Sequence, residues 1–208
     1  MICRLIVIAK EPIAGRVKTR LCPPFSVNEA AALAEASFRD TIEAARGAGV
    51  PTTVALDGRR PPWLSLPTIP QRGSGLAERL ANAFLDAGGP ALLIGMDTPQ
   101  ITSEDLAMAV TELACSCTDA ILGPASDGGY WAIGLKRPDP AIFRSVPMST
   151  PDTGMRQRKR LRSLGLRVVE LHELRDVDTY ADAEAVAALA PQTRFAHVFD
   201  GLSTRIAS

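Results

Sequence analysis

Seven short apolar runs, near residues 3–9, 51–56, 67–70, 91–94, 119–122, 129–135 and 167–170, punctuate the chain. Between them lie Ala-rich stretches at helical spacing, near 27–47, 75–87, 103–115, 153–164 and 181–190. Strands that alternate with helices call for crossover connections, so the expectation is an α/β fold with a mainly parallel sheet. Ser26 and Ser103 have the residue type and position of helix N-caps, and Gly47 or Gly49 ends the first helix. Pro-rich stretches at 59–67 and 136–151 read as loops. No repeat or low-complexity linker divides the sequence. One domain is expected over residues 1–208, with a nucleotide-binding part over about 1–100 and an acceptor part over about 101–190.

Composition narrows the partners. Lys plus Arg equals Asp plus Glu at 23 each, which gives no support to general nucleic-acid or membrane-surface binding. The longest apolar runs fall far short of the ~20 residues of a membrane span. The N-terminal run breaks at Lys10-Glu11-Pro12, without a signal-peptide cleavage pattern. A cytoplasmic protein is the expectation. Cys3, Cys22, Cys115 and Cys117 lack paired metal-ligand spacing and are expected to be reduced thiols.

The segment "IAKEPIAGRVKTRL", 8–21, follows the first strand and brings Lys10, Gly15, Arg16, Lys18 and Arg20 together. It is not a Walker A loop. That register needs glycines at 12 and 17, where the chain has Pro12, which lacks an N–H, and Val17, strained at positive φ. The alternative is a strand-to-helix loop that offers side-chain cations. Arg16, Lys18 and Arg20 alternate, so an extended stretch would point all three one way, toward a di- or triphosphate.

Three acidic positions suit the carboxyl ends of strands, where ligands collect in open α/β sheets. Asp97 in "ALLIGMDTP" follows an apolar strand and fits either a Mg²⁺ ligand or a cap. Asp127-Gly128-Gly129 forms a turn, with Tyr130 and Trp131 next; one aromatic is expected to line a pocket and the other to pack in the core. Asp178 in "RDVDTYAD" is either a second metal ligand or an N-cap. That stretch is not a haloacid-dehalogenase motif, because Tyr180 stands where Thr or Val belongs.

Gln71, Gly73 and Arg79 sit at a loop and helix start that suit the nucleotide side, with Gln71 able to read a base edge or to be a plain surface residue. "RQRKRLR", 156–162, reads as a solvated basic face, or as support for a phosphorylated acceptor. His172 and His197 stand alone and read as structural, Met96 and Met108 as core filling. Phe195, Val198 and Phe199 suggest that the tail packs on the domain or on a second subunit.

In order, K-E-P-x-A-G-R-V-K-T-R-L, Q-x-G-x-x-L-x-x-R-L, L-L-I-G-M-D-T-P, L-G-P-x-x-D-G-G-Y and D-V-D-T resemble the bacterial family of small glycosyltransferase-A-type proteins. Some members of that family are arsenosugar-biosynthesis glycosyltransferases. It is related to phospholactate guanylyltransferases and, more distantly, to molybdopterin cytidylyl- and guanylyltransferases. The resemblance runs from about residue 3 to 182. It implies a nucleotide-diphospho-sugar transferase fold: a Rossmann-like three-layer α/β/α sandwich around a mostly parallel mixed sheet. It implies phosphate contacts at Lys10, Gly15, Arg16, Lys18 and Arg20, and a Mg²⁺ or Mn²⁺ site at Asp97 and Asp178. The chain departs from the family pattern at Ala14, where Pro is usual, and at Ser74-Gly75-Leu76-Ala77, where an acid is usual.

With no Ser-His-Asp or Cys-His set, the chemistry expected is metal-dependent transfer from a nucleoside triphosphate or nucleotide-sugar to a small, anionic acceptor. Lys18, Asp97 and Asp127 are the expected catalytic residues, and Asp127, Gly128, Gly129 and Tyr130 the acceptor side. The competing class is a non-catalytic nucleotide-binding or regulatory protein on the same fold. A monomer or homodimer is expected.

Overall fold

The computed structural model describes residues 2–207. Its centre is one seven-stranded sheet in the order β3-β2-β1-β4-β6-β5-β7. The strands are β1 (Arg4–Lys10), β2 (Thr52–Asp57), β3 (Thr68–Pro70), β4 (Ala91–Gly95), β5 (Ala120–Pro124), β6 (Tyr130–Leu135) and β7 (Val168–Glu170). All pairings are parallel except those of β6, which returns antiparallel between β4 and β5 as the second arm of a hairpin. The mostly parallel mixed sheet is thus as expected. Each expected helical stretch is present, as α1 (Val27–Gly47), α2 (Leu76–Ala87), α3 (Ser103–Ala114), α4 (Thr153–Ser163) and α5 (Tyr180–Leu189).

The three layers follow from side-chain alternation along the strands. Leu5 and Val7 of β1 and Leu92 and Ile94 of β4 join Phe38 and Ile42 of α1 and Leu106 and Leu113 of α3. Their neighbours Ile6 and Leu93 turn to the other face, with Leu80 and Phe84 of α2 and Leu161 of α4. The buried strands read as continuous apolar runs because both faces of the sheet are covered.

Ser26 caps α1 through a capping box with Glu29. For α3 the cap is Thr102, one residue before the expected Ser103: its hydroxyl accepts from the Asp105 N–H, and Asp105 reaches back. Met108 was expected in the core but is 60% exposed on α3, whereas Met96 is buried. Cys3 and Cys22 are free thiols, but Cys115 and Cys117 are joined as a disulfide. The turn after α3 brings their Cα atoms to 5.4 Å, within reach of that bond. Among the described residues, no helix is long and apolar enough to cross a membrane.

The tail forms a helix of its own, α6 (Arg194–Ala207), and packs on the same chain. Phe195 and Phe199 meet Leu21, Phe25 and Leu33 beside Ala183 and Val186 of α5, outside α1. The first turn of α6 is held by Asp40 of α1, whose carboxylate accepts from the Phe195 N–H at 2.8 Å and the Arg194 N–H at 3.1 Å. Burial raises the Asp40 pKa, and the two backbone donors act against that rise. Asp40→Ala should therefore cost about 1–3 kcal/mol, the scale of leaving a buried donor unmet. Urea unfolding measures it, and an unchanged midpoint would mean that α6 docks through apolar contacts alone.

Candidate active site

The parallel strands β1, β2 and β4 end on one side of the sheet, where β6 begins. There a cleft of 860 Å³ opens across the middle of the sheet. One wall is the loop after β1 with the start of α2. The other is formed by the β5–β6 turn and the loop before α4.

The loop after β1 is not the extended stretch expected. It turns at 14–16, where Gly15 takes φ 76°, and closes as a 3-10 turn at Thr19–Leu21. The three cations consequently part company. Lys18, itself left-handed at φ 49°, carries its ammonium inward to 8% exposure. Its Nζ lies 2.8 Å from Asp97 Oδ1 and 3.9 Å from Asp178 Oδ1, and it also donates to the Val177 carbonyl. Arg20 stays mostly exposed while pairing with Asp178 Oδ2 at 2.7 Å. Arg16 is exposed along the rim with Lys10.

Asp97 and Asp178 come from segments that are zipped together. The Val177 N–H donates to the Asp97 carbonyl at 2.9 Å, and Gln100 Nε2 donates to the Arg175 carbonyl at 2.7 Å. The Ser37 hydroxyl of α1 fixes the base of the turn through the Met96 carbonyl. Thr98 Oγ1 then donates to Asp176 Oδ1 at 2.6 Å. Burial pushes the Asp176 carboxyl up to about 6, the Thr98 bond opposes this, and the Asp97 charge adds to it.

The sequence reading passed over Asp176. Its signal lay in D-V-D: around a fully buried Val177, extended residues two apart share a face, so both acids reach the cleft. Asp178 does not cap α5, because Thr179 does.

Gln71 and Arg79 also line this cleft. The Gln71 amide donates to the carbonyls of Ala9 and Ala55 at 2.8 and 3.0 Å, which commits both its N–H groups to backbone. Its oxygen faces Arg79, which pairs with Asp57 at 2.8 Å. Gly73, at φ 126°, lies against α2: a Cβ there would sit 2.6 Å from Glu78 Cβ. Gly15, Gly73 and Gly128 shape the walls without lining the cleft, whereas Asp127, Gly129 and Tyr130 line it.

The Asp127-Gly128-Gly129 turn serves packing first. Gly128 is at φ 87°, and a Cβ on it would lie 1.9 Å from the Pro151 carbonyl oxygen. The Gly154 N–H donates to the Gly128 carbonyl at 2.8 Å, so the turn docks the start of α4. Asp127 Oδ1 accepts from the Gly129 N–H at 2.8 Å. Tyr130 and Trp131 both border the cleft, so the pair is not divided as expected, although Trp131, 2% exposed, also packs in the core with its Nε1–H donating to the His172 carbonyl.

Asp97, Asp178 and the Val177 carbonyl are hard oxygen donors already gathered around one positive charge, the donor type that Mg²⁺ and Mn²⁺ prefer. Among the described residues, no three His, Cys, Asp or Glu groups form a metal cage. The donor set fits an ion that keeps water and phosphate as its other ligands.

Fold and sheet order define the nucleotide-diphospho-sugar transferase class of fold, as the sequence resemblance implied. A crystal structure assigned as a nucleotide-diphospho-sugar transferase from Desulfovibrio desulfuricans superposes with a TM-score of 0.89 at 22% identity, over 99% of this chain and 96% of that one. CMP:2-keto-3-deoxy-manno-octonic acid synthetase complexed with CTP matches with a TM-score of 0.61 at 14% identity, over 92% and 99%. Rv0371c of Mycobacterium tuberculosis, in complex with manganese, matches with a TM-score of 0.50 at 20% identity, over 89% and 98%. No curated protein matches the sequence. The chain belongs to the family described as "Uncharacterized protein conserved in bacteria (DUF2064)", whose profile matches residues 41–150.

Proposed function

We propose that the protein is a metal-dependent transferase that takes a nucleoside triphosphate or a nucleotide-sugar as donor and passes a group to a small acceptor. The observation that carries this reading is the Asp97–Lys18–Asp178 cluster at the end of β4, with Arg20 paired to the same Asp178. Lys10, Arg16, Lys18, Arg20 and Arg79 give the donor wall enough positive charge for a phosphate chain. Asp97 and Asp178 would hold Mg²⁺ or Mn²⁺, which supplies charge neutralisation on the transferring or leaving phosphate. A cation held by these carboxylates would displace the Lys18 ammonium from Asp97 and free it to pair with phosphate. The CTP and manganese complexes of two relatives in fold support a donor and a cation of these kinds.

The test is calorimetric titration of each nucleoside triphosphate and its bare nucleoside, with and without Mg²⁺. Lys18→Ala should weaken triphosphate binding by about 1.5–3 kcal/mol, the scale of a charged hydrogen bond, and the nucleoside much less. Arg20→Ala should weaken it less than Lys18→Ala does, because solvent already screens that side chain. Equal weakening of triphosphate and nucleoside would mean that the loop acts by shape instead of charge.

A further inference from the structure

The charges lining the cleft are divided between its walls. Lys10 ends β1, Arg16, Lys18 and Arg20 belong to the loop after it, and Arg79 belongs to α2. Among the described residues, the opposite wall, formed by the β5–β6 turn and residues 148–151, presents Tyr130, Met148, Ser149 and Thr150, with Asp127 as its one charge, while the buried Thr153 hydroxyl is spent on the Pro147 carbonyl and the Thr150 N–H. The nearby basic helix does not correct this. Among the described residues, Thr153 is the one residue of α4 on the cleft, and the helix's cations at 156, 158, 159, 160 and 162 do not line it.

Two details mark the opposite wall as built for a ligand. Ser149 is a non-glycine residue held left-handed, at φ 59°, on the cleft surface, a cost that proteins bear mainly at functional sites. Among the described residues, the Tyr130 hydroxyl has only the Met148 thioether as partner, at 3.8 Å, so its capacity for strong hydrogen bonds is unspent.

We infer that this wall is the acceptor subsite and that the acceptor is an uncharged polyhydroxyl compound, a polyol or sugar, instead of the phosphoacid or other anion that the sequence suggested. Hydroxyls that both donate and accept, beside an aromatic ring and a thioether, match the mixed polar and apolar surface of a sugar. A phosphate or carboxylate placed there would face Asp127 with no cation on its own wall, and the desolvated charge would go unpaired. The inference rests on the reading of the cationic wall as the donor side.

The experiment fills the cationic wall with Mg²⁺ and inorganic pyrophosphate, then compares matched pairs by saturation-transfer NMR. The pairs are glycerol with glycerol 3-phosphate, glucose with glucose 6-phosphate, and myo-inositol with its monophosphate. In at least one pair the uncharged member should bind tenfold or more tightly than the phosphorylated one. Tyr130→Phe, which keeps the ring and its packing, should weaken that polyol several-fold. Thr150→Lys should reverse the preference within the pair. A phosphorylated member that binds as tightly as its partner overturns the inference, as does the absence of saturable polyol binding. Nucleotide titration is scored separately. Polyol preference without nucleotide binding upholds this subsite while removing the donor reading, and nucleotide binding without polyol preference does the reverse.

Discussion

Asp97→Asn is expected to lower turnover by on the order of 100-fold or more, while the melting temperature stays within a few degrees of the wild type. The side chain is 44% exposed at the end of β4, and its direct partner is the Lys18 ammonium, so little packing depends on its charge. The Asp97 carbonyl, which accepts from the Val177 N–H, survives the substitution and keeps the two acidic segments joined. What is lost is one of the two carboxylates that share a cation. Assay of turnover beside thermal unfolding separates the effects, and unchanged turnover in a folded variant would remove Asp97 from the site.

Gly128→Ala should do the opposite and strike the fold. The residue combines φ 87° with a Cβ position 1.9 Å from a backbone oxygen of Pro151, which cannot yield as a flexible side chain would. Left-handed strain and displacement of the loop before α4 should together cost about 3 kcal/mol or more. Gly129→Ala is the internal control. Its Cβ would meet Asp127 Oδ1 at 3.0 Å, a side-chain atom that can shift, and the cost should stay within about 1 kcal/mol. Denaturant unfolding of both variants measures the contrast. Equal stability would show that the 150–154 segment does not dock on the turn as described.

The turn shows why part of the site was legible in the sequence and part was not. Period-two alternation and apolar runs expose the strands directly, because burial on both faces leaves a local mark. Asp97, Lys18 and Asp178 could be nominated because each stands just beyond a strand or in a loop of unusual composition. Their mutual contact could not, since it joins residues 18, 97 and 178 through three separate loops. The D-G-G glycines signalled a turn, but only the structure shows that Gly128 yields to Pro151 instead of to a ligand. Gln71 illustrates the same limit: nothing local announces that its amide is spent on the ends of β1 and β2. Met108 was misplaced because α3 has helical apolar spacing on more than its buried face. The α6 helix was missed as an element because its start is set by Asp40, 154 residues away.

The central claim is that this cleft turns over a nucleotide donor with the help of a divalent ion. The most direct measurement incubates the wild-type protein with each nucleoside triphosphate or nucleotide-sugar, Mg²⁺ or Mn²⁺, and a panel of polyols and phosphoacids. Pyrophosphate released from a triphosphate identifies nucleotidyl transfer, and a nucleoside diphosphate released from a nucleotide-sugar identifies glycosyl transfer. The account predicts one of these products, dependent on acceptor, abolished by EDTA and restored by excess metal. Tight nucleotide binding with no product from any donor and either metal would contradict it and leave a binding protein on a transferase fold.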